Sequence, residues 1–121
     1  MRTTLSNDKL TPEAAKAIAS YHSGVVTEVA KAVESNKIVV VGMVGNPFVK
    51  KARKALETEK VEFKYIEIGG YLSKWKERLA IKLWSGWPTY PQVFVNGMLV
   101  GGAMDLKKFI EDGKLKGAGK V

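Results

Sequence analysis

Asn96-Gly97 stands between two short apolar runs, 93–95 and 98–100, and restricts the fold more than any other feature of the chain. Both residues tolerate the positive φ of a type I′ turn, so the segment reads as a β-hairpin with a two-residue loop. Val93, Phe94 and Val95 are β-branched or aromatic, which is strand content. Pro91 precedes the first strand, where a missing N–H does least damage. Gly101-Gly102 ends the return strand and allows a close backbone approach. Such a hairpin is marginal alone and needs further strands or a helix against it.

The upstream sequence supplies them. Ile38-Val39-Val40-Val41 is a continuous apolar run, as expected of a central strand covered on both faces. Asn46 and Pro47 are an N-cap and first helical residue, opening a helix with Phe48, Val49, Ala52 and Leu56 on its buried side and Lys50, Lys51, Arg53 and Lys54 outward. A second strand is expected over 61–68. Gly69-Gly70 then turns the chain into a helix over 71–84, whose Leu72, Trp75, Leu79, Ile81, Leu83 and Trp84 contribute to the core; Tyr71 and Trp75 are expected at its partly exposed margin. A last helix follows over 103–112, closed by Gly113, and Leu115 returns to the core. Two helices precede all of this. One starts at Thr11-Pro12-Glu13 and carries a thin stripe of Ala14, Ala17, Ile18 and Tyr21; Gly24 is expected to break it before a second helix over 25–34. The strand–helix–strand unit demands a parallel pair, and the hairpin adds antiparallel strands. The reading is a four-stranded mixed α/β sheet flanked by helices. An extension with an added helix spans 1–24, one domain spans 25–116, and a flexible tail spans 117–121.

Composition narrows the chemistry. The 121 residues contain no cysteine, which excludes disulfides, thiolate catalysis and clusters held by the protein's own thiolates. A single histidine leaves no metal site to propose. The net charge of +8 suits an anionic partner or a solvated basic surface. Nucleic acid is disfavoured, because the lysines are spread over several helices with no Arg-rich run. No apolar run approaches the ~20 residues of a membrane span, and the start of the chain lacks a signal-like apolar core. A cytoplasmic location is the expectation.

The stretch Trp87-Pro88-Thr89-Tyr90-Pro91-Gln92, followed by the hairpin and Gly101-Gly102, resembles the C-terminal half of glutaredoxins, most closely the monothiol branch. The resemblance covers about residues 26–116. It implies the thioredoxin-like fold, a cis-proline at Pro91, and a glutathione cleft. In that family the nucleophilic cysteine opens the helix after the first strand, within Cys-Pro-Tyr-Cys or Cys-Gly-Phe-Ser. The matching tetrapeptide here is Asn46-Pro47-Phe48-Val49, with Asn46 at the nucleophile position and Val49 at the resolving position. No catalytic residue remains.

The cleft is a separate matter, since the family builds it mostly without cysteine. The resemblance assigns backbone pairing with the ligand to Thr89, Tyr90 and Pro91, and contact with a ligand carboxylate to Arg78. It assigns the γ-glutamyl end to Gly101, Gly102 and Asp105, and puts Asn46, Pro47 and Phe48 at the ligand too. Asn46 and Asp105 also read as helix caps. Trp84 and Trp87 read as packing or as binding residues. A lysine that monothiol members carry after the first strand is Val44 here, with Lys50 or Lys51 as substitutes. Losing one charged anchor typically costs ~1.5–3 kcal/mol, so weak, about millimolar, glutathione binding is expected. No cofactor is expected beyond glutathione as that weak ligand. The functional expectation is a non-catalytic module with a residual glutathione or peptide cleft, linked to cell redox homeostasis. The alternatives are an interaction or scaffold domain, homodimeric or bound to a protein partner, and an oxidoreductase acting through a partner's thiol.

Overall fold

The computed structural model describes residues 2–116, so the tail expected at 117–121 lies outside the described residues. After a 3-10 turn at Asn7–Lys9, the elements are α1 (Pro12–Ser20), α2 (Ser23–Ser35), β1 (Ile38–Gly42), α3 (Pro47–Thr58), β2 (Lys64–Glu67), α4 (Trp75–Ser85), β3 (Gln92–Val95), β4 (Met98–Gly101) and α5 (Ala103–Glu111). The sheet order is β2-β1-β3-β4. β1 runs parallel to β2 and antiparallel to β3, and β3 pairs antiparallel with β4. This is the thioredoxin-like mixed sheet expected from the sequence, with helices on both faces.

The apolar run in β1 has a simple cause. Val39 and Val41 face a core shared with α2 and α4, through Val29, Val33 and Ile81. Ile38 and Val40 face a second core shared with α3 and α5, through Ala52, Leu56 and Leu106. With both faces covered, alternation disappears and every position is apolar. Asn96 and Gly97 take φ of 51° and 81°, as the hairpin turn requires. Leu115 is buried in the α3/α5 core, and Gly113 turns the chain at φ 76°.

Three expectations change. The break between the first two helices falls at Tyr21-His22, where His22 is left-handed at φ 44°, and Gly24 lies inside the first turn of α2. α1 buries no residue; its Ala17 and Ile18, with Tyr21 just after it, wall an apolar groove with Val26 of α2 and Leu79, Leu83 and Trp84 of α4. α4 starts four residues later than expected. Gly69 at φ 60° and a left-handed Lys74 hold residues 71–74 in a turn, with Ser73 Oγ accepting from Gly70 N–H at 3.1 Å. α4 therefore buries Arg78, Ala80 and Ile81, while Leu72, Trp75, Leu79, Leu83 and Trp84 stay exposed. Finally, Phe48 leaves the buried face of α3 that Val49, Ala52 and Leu56 share, and stands half-exposed.

Candidate functional site

The site forms where three chain ends meet: the start of α3, the turn before β3 and the start of α5. The turn is fixed from below. Gln92 is fully buried, its Oε1 accepts from Ser85 Oγ at 2.7 Å, and its Nε2 donates to the Trp87 carbonyl at 3.1 Å. Trp87 N–H donates to the same Ser85 Oγ. The Tyr90-Pro91 peptide bond is cis. Tyr90 is buried, and its hydroxyl donates to the Arg78 carbonyl at 2.6 Å. No hydrogen bond to the backbone N–H of Thr89 or Tyr90 occurs among the described residues.

A cleft of about 670 Å³ opens above this turn. Asn46, Pro47 and Phe48 form one wall, Thr89, Tyr90 and Pro91 the floor, and Gly102 and Asp105 the far wall. Arg78 closes one side. The structure thus gathers these sequence-assigned residues in one place. Gly101 is not on the cleft. It is buried in the ladder opposite Val93 at φ 127°, and a Cβ there would lie 2.7 Å from the Asp105 carboxylate, so only glycine fits. Val49 is also off the cleft, packed in the core so tightly that a Cβ on Gly42 would come within 2.6 Å of it.

Several polar groups are already committed. Asn46 Oδ1 accepts from the N–H groups of Phe48 and Val49, at 2.9 and 3.2 Å, capping α3. Asp105 Oδ2 accepts from Gly102 N–H at 3.0 Å, capping α5. The sequence reading leaves the Arg78 guanidinium for a ligand carboxylate. In the structure Arg78 is 7% exposed and its Nη1 donates to the carbonyls of Ile68 and Ser73. The late start of α4 causes this, because it brings those carbonyls over the helix.

The structure adds Lys82, which the sequence reading passed over. Its Nζ lies 5.7 Å from the Tyr90 ring centre, on the cleft. The signal was available: Lys82 is four residues after Arg78 and shares its helical face. Lys51 Nζ lies 5.3 Å from the ring centre of Phe48, a residue of the cleft lining. Trp87 packs into the cleft wall, and its indole N–H is buried with no partner among the described residues. Trp84 tilts against Phe94, ring centres 5.8 Å apart, and takes no part in the cleft.

Burial pushes the Tyr90 phenol well above its ordinary range, against a smaller opposing pull from the Arg78 charge. The folded state therefore keeps this proton where an unfolded chain loses it. Stability from this group is complete below about pH 10 and declines as pH rises toward the folded value, by up to ~1.4 kcal/mol per pH unit. In denaturant titrations between about pH 9 and 11, Tyr90→Phe is expected to flatten that decline, at a cost of ~1 kcal/mol at neutral pH.

The sequence matches the family model described as Glutaredoxin over residues 38–100. A "Glutaredoxin-like protein" of Dictyostelium discoideum is 48% identical over 107 residues, covering 88% of this chain and 87% of that protein. "Monothiol glutaredoxin-S17" of Arabidopsis thaliana is 36% identical over 92 residues, 71% of this chain but 18% of that longer protein. In fold, the chain is similar to buckwheat glutaredoxin crystallised as a glutathione complex, with a TM-score of 0.68, 22% identity, and coverage of 79% of this chain and 87% of that one.

Proposed function

Since the chain belongs to the glutaredoxin family, we propose that it is a member that binds without catalysing, a module with a weak cleft for glutathione or a related peptide. Its place is in cell redox homeostasis, and its compartment is the cytoplasm. The observation that carries the reading is Asn46 at the head of an open cleft. The helix N-terminus that would stabilise a thiolate is occupied by an amide that caps it. An amide cannot attack a disulfide, and the chain has no thiol.

Binding needs less than catalysis does. The free backbone N–H groups at Thr89 and Tyr90 suit an extended peptide lying across the turn. Lys82 and Lys51 supply positive charge for its carboxylates. That glutathione is the ligand in the buckwheat complex supports the same choice here.

Backbone amide shifts during a glutathione titration test the reading. Shifts confined to 46–51, 82, 89–90 and 102–105, with a Kd of about 1 mM (~ −4 kcal/mol), are expected. Lys82→Gln should weaken that binding about tenfold. The absence of shifts at ~10 mM would mean that the cleft no longer serves a ligand of this kind.

A further inference from the structure

We propose that the occupant this cleft fits best is an extended acidic segment of a partner protein carrying one apolar side chain, in preference to the free tripeptide. The inference rests on the reading of the cleft as a peptide site and names its partner. A tripeptide depends on its charged ends. Three groups suited to hold such ends already bond within the protein: Asn46 to two backbone N–H groups, Asp105 to Gly102, and the Arg78 Nη1 to two carbonyls. Each has already committed one atom to the fold, which leaves fewer donors and acceptors for the charged ends of a tripeptide. A longer segment needs none of them, because its internal peptide groups pair with the floor at Thr89 and Tyr90.

The rim supplies what a longer segment would use. Phe48, Tyr71 and Met104 line the cleft, yet are 49%, 66% and 64% exposed. Leaving three large apolar side chains in water around one cleft is a feature of interaction sites. Two cations sit beside rings of the cleft lining: Lys51 by Phe48, and Lys82, itself on the cleft, by Tyr90. The wall also carries one carboxylate, Asp105, whose Oδ2 accepts from Gly102 N–H. Apolar rings flanked by cations complement an apolar residue flanked by carboxylates, and the net charge of +8 favours the encounter. A single-stranded nucleic acid would also suit rings and cations, but its backbone offers no strand-like pairing for the floor.

Amide-shift titrations of the full chain decide the matter with four probes. They are acetyl-Asp-Glu-Leu-Glu-Asp-amide, the same peptide with lysine at each acidic position, glutathione, and a short oligothymidylate. The acidic peptide is expected to bind about tenfold tighter than glutathione, shifting Phe48, Tyr71 and Met104 as well as the floor. Phe48→Ser and Lys51→Glu should each weaken it about fivefold. Lys31→Glu, on exposed α2, should leave it unchanged. Glutathione binding as tightly as the acidic peptide, equal affinity for the lysine peptide, or tighter binding of the oligothymidylate would each overturn the proposal and leave the glutathione cleft standing. Silence from all four probes would overturn both readings.

Discussion

Asn46→Cys is expected to give the cleft a reactive thiol that forms a mixed disulfide with glutathione. The N–H groups of Phe48 and Val49 already converge on the side chain at this position, at 2.9 and 3.2 Å. With cysteine there, the same donors and the dipole of α3 favour the thiolate. A thiol pKa near 8.5 would fall by ~1–2 units, raising the thiolate share at pH 7 from about 3% to between a quarter and three quarters. The thiolate attacks one sulfur of oxidised glutathione, the S–S bond breaks, and the second glutathione leaves as thiolate. Intact mass after incubation should show one glutathionyl group, with a rate midpoint near pH 7. Val49→Cys is the paired control. Position 49 is buried in the core, so a thiol there should react at least about tenfold more slowly. A rate midpoint at about pH 8.5 for Asn46→Cys would mean that the helix terminus no longer polarises this position. Loss of the Asn46 cap costs ~1 kcal/mol while the thiol is protonated.

This contrast between neighbouring positions shows what the sequence could and could not reveal. Asn46 and Pro47 are legible because an N-cap and an N1 proline are local rules, satisfied within four residues. The hairpin is legible for the same reason, since Asn96-Gly97 fixes its own turn. The double-sided burial of β1 follows from an unbroken apolar run. What stayed hidden depends on contacts across the chain. Apolar residues at helical spacing over 71–84 suggested one buried face, but the turn at 69–74 shortens α4 and leaves most of them in water. Phe48 reads as core by type and spacing, yet the cleft gives it a place outside. Burial of a hydrophobe is a tendency that a binding surface overrides.

Arg78 carries the largest expected cost to stability. Arg78→Ala should lower unfolding free energy by about 3 kcal/mol, moving the thermal midpoint down by ~10 °C. The guanidinium Nη1 donates to Ile68 O at 3.0 Å and Ser73 O at 2.7 Å, and so holds the chain leaving β2 against the helix that follows. Without it, one buried and one part-buried carbonyl lose a charged donor. The loss reaches the cleft floor, because the Tyr90 hydroxyl is bonded to the carbonyl of Arg78 itself. Arg78→Lys keeps the charge, but its ammonium does not sit where Nη1 does, and it should recover about half of the loss. Chemical denaturation separates this brace from a ligand anchor. A brace makes stability fall in the absence of any ligand and lets lysine restore it only in part. If Arg78→Ala left stability within ~0.5 kcal/mol and reduced glutathione affinity more than about tenfold, the side chain would be serving the ligand, with its carbonyl bonds incidental. The 7% exposure of Arg78 and the two carbonyl bonds of its Nη1 argue for the brace.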